Sequence, residues 1–234
     1  VSKLALNPDH PGSRFTIGSL DTLKGDVRTD LMKFFADHYS ADQMGLVVLA
    51  DQSLDELEAL VTPLFNQIRN SDIGPSYPTE PAFSDQQLPA VLTSKTLKDN
   101  YGLAYNFPIP STLQVYRNKP EQYLSNLIGH EGEGSLHYLL NAKGWIEGLG
   151  AGSQDLDRNN SLLTVSIELT EAGRAHVEEI TDLLFQYFDM LRTQPPQDWL
   201  YQEQAKVAEL GFRFQEKGST VGFVYQMAPS LDLH

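Results

Sequence analysis

Apolar positions recur with a helical period in some stretches of the chain and alternate or run together in others, and the switches between them define its elements. Over residues 27–39, Leu31, Phe34, Phe35 and His38 fall on one helical face. Gly45-Leu46-Val47-Val48-Leu49-Ala50 is a short uninterrupted apolar run, the pattern of a buried strand. Ser53-Leu54-Asp55-Glu56 opens a second helix: Ser53 can accept from a free backbone N–H while Glu56 reaches back to the N–H of Ser53, a capping box. Leu54, Leu57, Leu60, Val61, Leu64 and Phe65 form its apolar stripe, which predicts helix, strand and helix packed as one unit.

Residues 70–90 interrupt the rhythm with Gly74, Pro75, Pro78, Pro81 and Pro89. Proline removes a backbone donor and favours extended chain, so a linker is expected, with a domain boundary near residue 76. Strands are predicted over 91–97 and 102–107, the second alternating Leu103, Tyr105 and Phe107. Pro120 suits the first turn of a helix carrying Tyr123, Leu124, Leu127 and Ile128. The run Gly129-His130-Glu131-Gly132-Glu133-Gly134 follows, then a short helix over 135–142 ended by Lys143-Gly144. Strands over 145–149 and 162–169 precede two long amphipathic helices, over 171–192 and from 199 to about 214. Strands joined through hairpins and followed by long helices give an α+β layered fold with a mainly antiparallel sheet.

Hydrophobic residues make up 41% of the 234 positions, enough for a folded core. A formal charge of −14, from 31 acids against 17 bases, disfavours nucleic acid, whose phosphates require clustered Lys and Arg. Such a field would attract basic peptides at low salt, and it also serves plain solubility. Cysteine is absent, which removes disulfides, thiolate zinc sites and a cysteine nucleophile. No apolar run approaches the ~20 residues that span a bilayer, so no membrane partner is expected. Val1-Ser2-Lys3-Leu4 has neither an initiator Met nor a signal-peptide pattern, and the chain reads as a segment of something longer.

A helical zinc-peptidase site needs two histidines one turn apart with a glutamate beside them. Neither HExxH nor HxxEH occurs. His130-Glu131 begins like the former, but Gly134 stands four residues beyond His130, and His137 follows only after further glycines. His38 and His176 lie in predicted helices as packing or solvated residues, and His10 lies in a turn. There is no GxSxG elbow, and no Gly-Lys-Ser/Thr follows the glycine-rich run. Read from residue types alone, the chain carries no complete catalytic site, and its glycines at 129–134 and 148–152 serve turns and a hairpin.

Several stretches nevertheless resemble one family. These are Asn7-Pro8-Asp9-His10-Pro11-Gly12, His38-Tyr39-Ser40 with its flanking helix and apolar run, Leu127-Ile128-Gly129-His130-Glu131-Gly132-Glu133-Gly134-Ser135-Leu136, Lys143-Gly144-Trp145 and Gly211-Phe212-Arg213-Phe214. In that order they resemble the M16 zinc metallopeptidases of the insulin-degrading enzyme and pitrilysin group, over nearly the whole chain. The resemblance implies four similar α+β domains of the M16 type enclosing a chamber where peptides are cut. Residues 1–75 would be the later part of the first, catalytic domain, and 76–234 most of the second, non-catalytic one. The zinc of the full-length protein would be held by an HxxEH motif before residue 1, so this chain is expected to hold no metal and to be inactive alone.

The same resemblance makes residues 129–152 an exosite that anchors the N-terminal part of a substrate by strand addition to the edge Gly148-Leu149-Gly150-Ala151-Gly152. Gly129, Glu131, Leu149, Gly150 and Ala151 are its implied residues, with Glu131 meeting the free amine. Glu133 stands where relatives often have proline, which makes the loop less rigid. Implied partners are a peptide or unfolded polypeptide and the remaining M16 domains of the same polypeptide, and a homo-oligomer stays open. The alternative is an inert structural subunit of the processing-peptidase or core-protein type. Pitrilysin-type bacterial relatives are often periplasmic, with the cytoplasm as the alternative compartment.

Overall fold

A computed structural model of the chain describes residues 2–14, 17–75, 77–84, 87–95 and 100–233. Its helices are α1 (Val27–His38), α2 (Leu54–Phe65), α3 (Pro120–Ile128), α4 (Leu136–Ala142), α5 (Val177–Thr193), α6 (Asp198–Arg213) and α7 (Thr220–Met227). Its strands are β1 (Tyr101–Pro110), β2 (Ile146–Asp155) and β3 (Asn160–Leu169). They belong to two compact units, one of residues up to Ser13 with Glu80–Phe214, the other of Arg14–Thr79 with residues from Gln215 onward.

The first unit holds the sheet. Its strand order is β1-β3-β2, antiparallel throughout, so β3 is paired on both sides while β1 and β2 are edges. β1 alternates strictly between half-buried and exposed residues, and Tyr101, Leu103, Tyr105 and Phe107 point to the packed face. α5 covers that face through Ile180 and Leu184, both fully buried, and Tyr105 joins the two layers by a 2.7 Å hydrogen bond to Thr181. Ile128, Leu136, Leu140 and Trp145 complete the same core from α3, α4 and the start of β2. The expected α+β layering is therefore present.

Within β2 the register slips between Ile146 and Gly148, leaving Glu147 as an extra residue. A bulge of this kind shifts the alternation by one. That is why Ile146 and Leu149, three apart, both reach the core.

Local signals explain the joints. α4 ends in a Schellman motif: Trp145 N–H donates to Leu140 O and Gly144 N–H to Asn141 O, with Gly144 at φ +70°. The Trp145 carbonyl in turn accepts from Thr170 N–H, and Thr170 Oγ1 donates to Gly144 O. Gly173 lies so close to this corner that a Cβ would stand 1.9 Å from the Trp145 oxygen.

The second unit departs from expectation. The helices α1 and α2 form as their patterns require, and the capping box at Ser53 and Glu56 is made in both directions, at 2.9 and 3.4 Å. Residues 45–50 form no strand, and residues 91–95 of the first unit do not either; 96 and 97 lie outside the described residues. A strand exists only where a neighbour takes its N–H and C=O groups, and the described strands pair among themselves. The α2 stripe is likewise open: Leu54 is 84% exposed, Leu60 59% and Leu64 68%. Ser40 is the one buried residue among those described in this unit. Its hydroxyl accepts from Ser71 N–H at 2.7 Å and donates to Asp42, whose carboxylate also accepts from Gly74 N–H. The Ser40 hydroxyl, with help from Gln43 and Gly74, holds the Asp42 carboxyl down at about 2. α7 was not anticipated from the apolar pattern, although Ser219 caps it through Gly222 N–H.

Two outcomes follow for unfolding. Gly173→Ala should lower stability by about 1–3 kcal/mol in urea titration, because the clash is with backbone, whereas Gly211→Ala, whose Cβ meets nothing within 4 Å, should be neutral or stabilising. The depressed Asp42 carboxyl contributes stability above its ordinary value of 3.8 that is lost as pH falls toward about 2. Asp42→Asn should flatten stability against pH across that window.

Candidate functional site

The outer edge of β2 is not left bare but faces a groove. Among the described strands β2 pairs with β3 alone, and α3 packs beside it. Between them lies a cavity of about 820 Å³ whose walls are Gly150, Ala151, Gly152 and Ser153 of the strand opposite Gln122, Ser125 and Asn126 of the helix. Gln204 of α6 lines it too. At one end α3 terminates at Gly129, whose N–H donates to Ser125 O at 2.9 Å.

There the helix and strand meet. A Cβ on Gly129 would stand 3.1 Å from Ser125 O and 3.5 Å from Ala151 N, so the absence of a side chain permits the contact. Here the helix end and the strand edge come into contact. From it the loop turns through His130, Glu131 and Gly132, which also line the cavity, and Ser135 then caps α4 by accepting from Tyr138 N–H at 3.0 Å.

Gly129, Glu131, Gly150 and Ala151 are thus brought together, with the Glu131 side chain exposed beside the junction of helix and strand. Leu149 is different. It is 7% exposed and its side chain enters the core, so it pins the strand in register rather than lining the groove. Glu133 is exposed and lies outside the groove wall. A Cβ added at Gly150 or Gly152 meets nothing within 4 Å, so both keep the edge open to an approaching chain.

Sequence reasoning passed over Gln122, Ser125, Asn126 and Gln204. Polar residues on a helix read as a solvated face, and only the placement of α3 along a free strand edge gives them a wall to form. It also left His10 in a turn. His10 is buried, its Nδ1 accepts from Gly12 N–H at 3.1 Å, and its Nε2 stands 3.2 Å from Asp157 Oδ2 in the β2–β3 turn. Asp157 Oδ1 gathers the N–H groups of Asn159 and Asn160. The turn thus lies against the segment 7–13, itself fastened by Asn7 N–H to Ala82 O at 2.9 Å.

Among the described residues no group of three or more His, Cys, Asp or Glu side chains is placed to hold a metal ion. The donor set that zinc needs is not assembled by them, and no chemical step through a metal is derived for this chain. No described helix is long and apolar enough to cross a membrane.

Residues 26–207 match the family model described as the peptidase M16 inactive domain. The chain belongs to the M16 peptidases. Insulin-degrading enzyme-like 1, peroxisomal, of Arabidopsis thaliana is 36% identical over 97% of this chain. The insulin-degrading enzyme of Homo sapiens is also 36% identical over 97%. The crystal structure of pitrilysin superposes with a TM-score of 0.86 at 26% identity over 98% of the chain. The M16 chain spans about a quarter of these relatives: 24%, 23% and 25% of their lengths respectively. The M16 fold and a non-catalytic part of an M16 peptidase are therefore what the sequence resemblance led one to expect.

The groove geometry separates two kinds of glycine. Gly129→Val should destabilise the unit by about 1–3 kcal/mol, because its branches meet Ser125 O and the β2 backbone. Gly150→Val should change unfolding by no more than about 0.5 kcal/mol, since its Cβ enters open space. Urea titration of the two variants side by side checks this.

Proposed function

We propose that this chain is the substrate-holding, non-catalytic portion of a zinc endopeptidase that degrades peptides within an enclosed chamber. The observation that carries the reading is the edge of β2, unpaired among the described strands, facing a groove where α3 meets it at Gly129. An extended peptide can add to that edge as a further strand, its N–H and C=O groups taking the free ones of residues 148–152. Gly150 and Gly152 offer backbone without side chains in the way. The groove runs alongside α3 from its junction with β2 at Gly129, and the peptide lies with one terminus at that junction. Glu131 stands there, and its carboxylate suits an N-terminal ammonium.

Residues 1–75 then correspond to the later part of a first M16 domain and 76–234 to most of a second. The division is one of ancestry rather than of contacts, so it need not follow the two compact units. The HxxEH ligands and their zinc belong to the polypeptide outside this chain, and that ion supplies the hydrolytic chemistry. The exposed faces of α1, α2 and α7, with Phe34, Leu60, Leu64 and Phe223 open to solvent, are the surfaces that the remaining M16 domains would cover. The names of the relatives, insulin-degrading enzymes and pitrilysin, support a peptidase parent over an inert structural subunit.

Glu131→Gln should weaken capture of peptides with a free N-terminus by about tenfold, the scale of one lost charged hydrogen bond, and leave N-acetylated peptides unchanged. Fluorescence anisotropy with both peptides reads the difference, and equal loss for both would remove Glu131 from the amine site. The 234-residue chain alone should cleave no fluorogenic peptide with added zinc, while the parent should do so and lose the activity to a chelator.

A further inference from the structure

The wall opposite the β2 edge has a chemistry of its own. Gln122, Ser125 and Asn126 occupy successive positions i, i+3 and i+4 of α3, which places them on one stripe of the helix. Gln204 of α6 adds a third carboxamide. No large apolar side chain and no charge stands on this wall. Ser125 Oγ and Gln204 Nε2 have no hydrogen-bond partner among the described residues, an unusual state for polar atoms removed from water.

Away from His130 and Glu131 of the loop, the groove is lined by small and polar residues that offer little with which to select a side chain. What it has is amides. A carboxamide carries one acceptor and one N–H donor pair in a plane, the same groups as a peptide bond. Residues four apart on an α-helix are about 6 Å apart along its axis. Groups facing one edge of an extended chain recur every second residue, at about 6.8 Å. Gln122 and Asn126 therefore repeat at close to the spacing of the outward backbone groups of a strand lying between them and β2.

We infer that Gln122 and Asn126 are specificity-determining residues that bind the far edge of the added peptide, so that its backbone is read on both sides. The inference rests on the strand-addition reading above and extends it. One edge of the peptide pairs with β2, and alternate residues turn their N–H and C=O groups to the carboxamides of α3. Selection then falls on backbone rather than on side chains. The substrate class is an extended peptide of almost any sequence that has free N–H groups at consecutive positions near its N-terminus, and proline or N-methyl residues there are rejected.

The test uses the full-length parent in the presence of chelator and a free-amine peptide labelled at its C-terminus. Single N-methyl groups are placed at successive positions, because alternate residues present their N–H groups to opposite edges. Methylation at both parities is expected to weaken binding, each by about 3- to 10-fold. In the double variant Gln122→Met/Asn126→Leu, binding should fall by about the same factor per amide, and methylation at the parity that faces α3 should then cost nothing further. Retained sensitivity at the other parity shows that the variant is folded and its β2 edge intact. If only one parity matters and the double variant binds normally, far-edge recognition is wrong and strand addition stands. If the double variant keeps both sensitivities, another element reads the far edge and the assignment to Gln122 and Asn126 fails. If neither parity matters, strand addition itself fails.

Discussion

A backbone edge with one side paired and one side free is what the rest of this chain depends on. β3, between two neighbours, has its hydrogen bonds complete. β2 has half of its own unspent, and an exposed edge of that kind pairs with whatever extended chain reaches it. Leu149 in the core fixes the strand in register, the bulge at Glu147 sets its alternation, and the Schellman turn at Gly144 fixes where it begins. α3 then forms the other wall of the groove that this edge faces, meeting it at Gly129. Burial of Ile128, Trp145 and Leu149 is thus converted into position along an open edge.

The two compact units differ in how far they explain themselves. The sheet unit carries the buried cluster, and its helices α3, α4 and α5 turn apolar residues inward. The unit of α1, α2 and α7 turns apolar faces outward, and its one residue buried among those described, Ser40, sits in a polar knot with Asp42 and the backbone of residues 69–74. Helices of this length are marginal without packing.

The sheet and its helices were legible because their patterns depend on near neighbours. β1 alternates from Tyr101 onward, Ser53 and Glu56 announce a helix start, and Pro120 and Gly144 punctuate α3 and α4. The run at 45–50 was misread because apolar composition reports a wish to be buried and says nothing of whether a partner strand is present. The role proposed for the glycines at 129–132 and 148–152 comes from family resemblance; by themselves they read as turn and hairpin residues. The amide wall and the buried His10 were not legible, since each acquires meaning from residues distant in sequence, Gly150–Ser153 in one case and Asp157 in the other.

Backbone amide hydrogen exchange measured on the full-length parent, with and without a saturating free-amine peptide, tests the central claim most directly. Strand addition predicts that peptide slows exchange at alternate amides within residues 148–153, while β1 and the α2 segment are unchanged. Unaltered exchange along the outer edge of β2 while peptide is demonstrably bound would contradict it.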